Sequence, residues 1–155
     1  MAFAKRISAI AFSLIVCAAL LPASAQAQTE SQLQENFLAF LDDQGMEGWV
    51  DSDGDVQFEY NDRNYFIEVN EGDPEFFRLV LFNIWPIESQ TEAVQVAFAV
   101  DAVNRQMKVI KAYTTNDNVW IAMEVFLADI NDYKYFFMRG LDVIDNAVET
   151  FVEEM

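Results

Sequence analysis

Apolar and polar residues follow two different periods along this chain, and the switches between them mark out its elements. From Ser31 to Gln44 the apolar positions Leu33, Phe37, Phe40 and Leu41 recur at helical spacing, which predicts an amphipathic helix with one buried face. Ser31 and Gln34 stand at capping-box spacing, and Gly45 supplies a terminator. From Trp49 to Trp85 the period drops to two. Val56, Phe58 and Tyr60 alternate with Gln57 and Glu59, Asn61-Asp62-Arg63-Asn64 reads as a turn, and Tyr65, Ile67 and Val69 alternate again, so this segment predicts a β-hairpin. Gly72-Asp73-Pro74 forms the next turn. Phe76 to Trp85 then reads as a third, more apolar strand that stops before Pro86.

Ser89 with Glu92 is a second capping box, opening a helix that runs to about Gln106. At 3.6 residues per turn, Val96, Val100, Val103 and Met107 share one face, while Val94, Phe98 and Ala102 fall nearly opposite. A helix apolar on two sides needs two partners. The sheet is one; the other is either another helix of the chain or a second protein, which makes Val94, Phe98 and Ala102 the candidate interface residues. Lys108 to Thr115 and Val119 to Leu127 read as two further strands around a turn at Asn116-Asp117-Asn118, the second with both faces largely covered. A last helix starts near Asp129 or Asn131 and carries Tyr133, Phe137, Leu141, Ile144, Val148 and Phe151 on one face. Gly140 lies in that stripe and predicts a close approach to the sheet. The fold class expected is α+β: helix, three strands, helix, two strands, helix, an antiparallel sheet packed by helices.

This order, with three strings inside it, resembles a known family. The strings are Asp53-Gly54-Asp55-Val56-Gln57-Phe58 leading into Tyr65-Phe66-Ile67-Glu68-Val69, then Asp73-Pro74-Glu75-Phe76-Phe77-Arg78, then Val103-Asn104-Arg105-Gln106-Met107-Lys108-Val109. Together, over about Leu33 to Phe151, the chain resembles the YbjN-like family, whose fold is that of the type III secretion chaperones. The resemblance implies a non-enzymatic fold that often dimerises and can hold a partner polypeptide, and it carries over no catalytic residue.

Charge and the N-terminal segment change the picture of where the domain works. Lys5 and Arg6 precede the uncharged run Ile7 to Leu21, the length of a signal-peptide core and short for a membrane span. Pro22 and Ala23-Ser24-Ala25 follow, with Ala25-Gln26-Ala27 as a second site. Residues 1–25 are therefore expected to be a signal peptide cleaved after Ala25 or Ala27. That leaves a single α+β domain over 26–155, soluble, periplasmic or secreted, with no stable membrane insertion. The secretion chaperones of the resembling fold are cytoplasmic, so the export signal is a departure from them. The one cysteine, Cys17, lies in the signal, which leaves the mature chain without disulfide, thiol nucleophile or thiolate metal site.

With 26 acidic and 9 basic residues the chain carries a net charge of −17, and loss of Lys5 and Arg6 makes it more acidic. Nucleic acid and anionic membrane are poor partners for such a chain, whereas a protein or peptide, especially a basic one, and cations are suitable.

The chain has no histidine, which removes Ser-His-Asp triads, most zinc sites and histidine acid-base chemistry. No glycine-rich phosphate loop is present. Asp51-Ser52-Asp53-Gly54-Asp55 begins like an EF-hand loop, making Asp51, Asp53 and Asp55 weak metal candidates. The match then fails at Val56, where glycine is needed, and at Asp62, where glutamate is needed. Glu68 and Glu124 are strand carboxylates that a hydrolase would need as a pair. Trp49, Trp85 and Trp120 could stack a ligand, although core packing is the first reading for isolated strand aromatics. The expected function is thus an exported, non-catalytic protein-binding or chaperone-like module acting as a homodimer, without cofactor. An acidic calcium-binding protein is the alternative, and a carboxylate hydrolase ranks third.

Overall fold

The structure is a computed structural model and describes residues 28–155. The signal peptide and its cleavage sites, expected within 1–27, lie outside the described residues. Helix α1 spans Glu30–Asp43 and buries Leu33, Phe37, Phe40 and Leu41, the stripe read from the sequence. Its capping box sits two residues earlier than expected. Thr29 Oγ1 accepts from Gln32 N–H at 3.4 Å and Gln32 Oε1 accepts from Thr29 N–H at 3.0 Å. Gln34, released from capping, donates its side-chain amide to the Gly54 carbonyl at 2.9 Å and so ties α1 to the loop that follows. Gly45 closes the helix with φ 75°, a backbone conformation that residues with a Cβ rarely adopt, and Met46 N–H returns to the Leu41 carbonyl.

Six strands form one antiparallel sheet: β1 Gly48–Val50, β2 Val56–Tyr60, β3 Arg63–Ile67, β4 Phe76–Pro86, β5 Ile110–Thr115 and β6 Asn118–Phe126, in the order β1-β2-β3-β4-β6-β5. The three-residue β1 was not expected, because it is too short to display a period. The β2–β3 and β5–β6 hairpins close through two-residue turns whose residues have positive φ, Asn61 and Asp62 (51° and 58°) and Asn116 and Asp117 (49° and 54°). That geometry matches the strand twist and suits Asn and Asp, so Arg63 and Asn64 belong to β3 and not to the turn. Between Leu81 and Trp85 the β4–β6 register shifts, and Asn83 sits at the irregularity with φ 56°.

Helix α2, Gln90–Gln106, has the limits the sequence predicted; α3 spans Tyr133–Glu154 and starts later than expected because Asp129 to Asp132 form a turn. Ser89 Oγ caps α2 by accepting from Glu92 N–H, whereas the Glu92 carboxylate turns back to Glu88 N–H and Trp85 Nε1–H. All six residues of the α3 stripe are buried. A Cβ at Gly140 would fall 2.6 Å from Met123 Cε, which is the close approach to the sheet that the glycine predicts. The three helices and the inward residues of the strands form one core, with Phe58, Tyr65, Leu79, Ile121, Phe137 and Phe151 fully buried.

Candidate binding face of the sheet

Strand alternation that sends Tyr65, Ile67, Leu79, Leu81 and Ile121 to the helices must send their neighbours the other way. On that opposite face the strand pairing sets Trp49, Gln57, Phe66, Val80, Ala122 and Lys111 in one row across all six strands. Phe66, Val80 and Ala122 form a second, smaller apolar cluster with Phe82, Tyr113 and Trp120 packed over it. The rings lie 5.8–6.1 Å apart: Phe66 to Trp120 5.8 Å, Phe82 to Trp120 5.8 Å, Tyr113 to Trp120 6.1 Å. Among the described residues no helix contributes to this cluster. Trp120 is oriented by its indole N–H, which donates to Asn83 Oδ1 at 3.1 Å, so the strand irregularity serves to place an acceptor beside the ring.

The β1–β2 loop brings the acidic string to the edge of this cluster. Asp51 Oδ1 accepts from the N–H groups of Asp53 and Asp55 at 2.9 and 3.1 Å, and Oδ2 accepts from the Gln57 amide at 2.7 Å. Burial raises the Asp51 pKa, but these hydrogen bonds outweigh it and hold the carboxyl below its ordinary value. Asp55 accepts from Val69 N–H at 2.9 Å; burial, reinforced by the charges of Asp51, Glu68 and Asp53, pushes its carboxyl above the ordinary value. Asp51 and Asp55 thus brace the loop, and among the described residues no three acidic side chains converge as metal ligands would. What the loop does build is a cavity of about 330 Å³ shared with the aromatic cluster, with Asp51, Asp53 and Asp55 on one side and Phe66, Phe82 and Trp120 on the other.

A charged row crosses the same face beside the rings. Arg78 donates to Glu68 at 2.6 Å, to Glu124 at 3.1 Å and to the Tyr113 hydroxyl at 2.7 Å, and Lys111 reaches Glu124 at 3.2 Å. Burial pulls the Arg78 guanidinium down, and the Glu68 hydrogen bond with the surrounding negative charge more than offsets it. The two carboxylates weighed as a hydrolytic pair are therefore partners of one arginine.

No protein-family model and no curated protein matches this chain. Among solved structures, the crystal structure of YbjN from E. coli, a proposed transcription regulator, is similar at a TM-score of 0.57 and 12% identity, over 78% of this chain and 89% of that one. The fold is YbjN-like. At that identity the likeness establishes architecture and leaves the site to be argued from its own residues.

On this YbjN-like frame the other candidates of the sequence fall in different places. Val94 and Phe98 stand on the outer side of α2, 57% and 72% exposed. Ala102 does not join them: it is 2% exposed, buried beside Ala99 and Val103, because small residues let α2 approach the α3 it packs against. The expected stripe of three is reduced to two. Trp85 belongs to the core against Phe151, Trp120 to the aromatic cluster, and Trp49 extends the open face on edge strand β1. Phe82, Asn83 and Tyr113 were not singled out from the sequence, and Phe66 and Arg78 entered only within the strings of the family resemblance, not as site residues. The available signal was the unbroken run Tyr65-Phe66-Ile67, which demands apolar cover on both sides of β3.

Proposed function

We propose that this chain is an exported, non-catalytic protein-binding module of chaperone-like character, and that its open sheet face takes a basic polypeptide segment. The observation that carries the reading is the cavity in which the acidic β1–β2 loop faces Phe66, Phe82 and Trp120. Lysine and arginine side chains are attracted both to ring faces and to carboxylates, and they keep their stems on apolar surface. The acidic excess of the chain adds long-range attraction for the same partner. Export is supported by the Ile7 to Leu21 run and the small residues after it. A second reading, self-association through α2, is favoured by the exposure of Val94 and Phe98.

The test is calorimetric titration with a Lys/Arg-rich peptide and an acidic peptide of equal length. The basic peptide should bind in a salt-sensitive manner, and Trp120→Ala should weaken it about tenfold, a loss of the size expected for one desolvated cation–π contact. Equal binding of the acidic peptide, or no effect of Trp120→Ala, overturns the reading.

A further inference from the structure

On the helix side of the sheet, α2, β6 and α3 leave an open groove of about 550 Å³, within the range of small-molecule sites. Met107, Met123, Val125 and Phe136 wall it, and Gly140 lies at its base, where the missing Cβ lets Met123 sit against the helix. Methionine side chains adapt their shape to an apolar guest. The charged residues lining the groove are Lys108 and Arg139, both cationic, in a chain with 26 acidic and only 9 basic residues. Neither takes part in an ion pair among the described residues, whereas Arg63, Arg78, Arg105 and Lys111 all do.

Val109 stands at the mouth, 53% exposed, with φ 59°. A β-branched residue in the left-handed region is strained, and its carbonyl is held there by Glu124 N–H at 3.0 Å. The strained turn keeps an apolar side chain beside Lys108 at the groove entrance instead of continuing β5.

We infer that this groove binds a single-chain anionic amphiphile, a fatty carboxylate, with the alkyl chain among the methionines and Phe136 and the carboxylate between Lys108 and Arg139. Charge complementarity decides against a cationic amphiphile: the acidic protein as a whole attracts cations, whereas this rim sets Lys108 and Arg139, and no carboxylate, at an apolar opening. The inference is independent of the basic-peptide reading, whose cavity lies on the other face of the sheet.

The test titrates the protein with dodecanoate and, separately, with dodecyltrimethylammonium, both below micelle formation. Dodecanoate should bind and the cation should not displace it. Lys108→Gln with Arg139→Gln should weaken dodecanoate about tenfold or more, the change expected for losing a charge-assisted hydrogen bond. Val109→Asp keeps a residue that tolerates positive φ and adds a carboxylate at the mouth, so it should weaken dodecanoate comparably while near-ultraviolet dichroism stays native. Equal affinity for the two surfactants, unchanged affinity in the double variant, or unchanged affinity in a natively folded Val109→Asp protein would each overturn the assignment.

Discussion

On the helix-covered face of the sheet, Phe58, Ile67, Leu79 and Ile121 lose all contact with water; on the opposite face of the same strands, Phe66, Val80 and Ala122 are shielded by the rings of Phe82, Tyr113 and Trp120. The first face has three helices to finish its burial, and among the described residues no charged or amide side chain is buried. The second finishes its burial with aromatic side chains that remain partly in water, and it sets Glu68, Arg78 and Glu124 beside them. An apolar aromatic centre with arginine and a charged margin is the composition of a recognition surface. One strand sequence can therefore encode a helix-packed face and, on the reading proposed above, a binding face, separated only by the parity of residue number.

The comparison breaks first if the two faces are equally important to stability. Phe137 meets Phe40 edge-on at 5.1 Å and lies 5.7 Å from Phe58, all inside the helix-covered core. Phe137→Ala should cost about 3–5 kcal/mol in urea unfolding, because it removes a fully buried ring and leaves a cavity. Trp120→Ala, on the open face, should cost well under half of that. An equal loss for the two would make the open face a second core and remove it as a candidate binding surface.

A smaller effect sharpens the role of the acidic loop. Asp51→Ala should cost about 1 kcal/mol near neutral pH, the size of a lost capping interaction, since three donors lose their acceptor. The folded-state pKa of Asp51 lies below its ordinary value, so its contribution is fully present above the ordinary value and is lost as pH falls through the lower one. Asp55 has the opposite sign. Its raised folded-state pKa means that ionisation penalises the fold above that value, and the penalty disappears as pH falls from there to the ordinary value. Because the Asp51 charge is part of the Asp55 penalty, the difference in stability between wild type and Asp51→Ala should hold or grow slightly on acidification to the ordinary carboxylate range and shrink only below it. Calcium that raised the melting temperature of wild type and not of Asp51→Ala would instead make the loop a cation site.

How much of this was legible in the sequence follows from period and length. Helix stripes such as Leu33-Phe37-Phe40-Leu41 and the long α3 stripe repeat often enough to be read, and so are their burial and the order of elements. Strand β1 has three residues and no period to read. The open-face cluster was hidden for another reason. Phe66, Phe82, Tyr113 and Trp120 come from four strands, and only their cross-strand register brings them together. The Asn83 irregularity that orients Trp120 carries no sequence signature beyond an asparagine tolerant of positive φ. Ala102 was misplaced because helical spacing alone put it with Val94 and Phe98, and only the packed helix pair shows that its small side chain lies inside.

The smallest expected effect on the fold concerns the outer side of the helix layer, and it asks whether α2 adds a self-association surface to the sheet face proposed for binding. Phe98 is 72% exposed, with Val94 on the same side, so Phe98→Asp removes little buried area and should change unfolding stability by no more than about 0.5 kcal/mol. Aspartate is a modest helix former, and in an already acidic chain the added charge works slightly against the compact state, which bounds the direction as destabilising. If two copies associate through α2, the same substitution places a charge in their shared apolar patch, and each subunit loses up to about 2 kcal/mol of phenylalanine burial before association costs are counted. Light scattering across a concentration series should then show a dimer for the wild type and a monomer for the variant at equal fold stability. A wild type that remains monomeric throughout, with Phe98→Asp indistinguishable from it, would leave the sheet as the only face of the two that differs from ordinary protein surface.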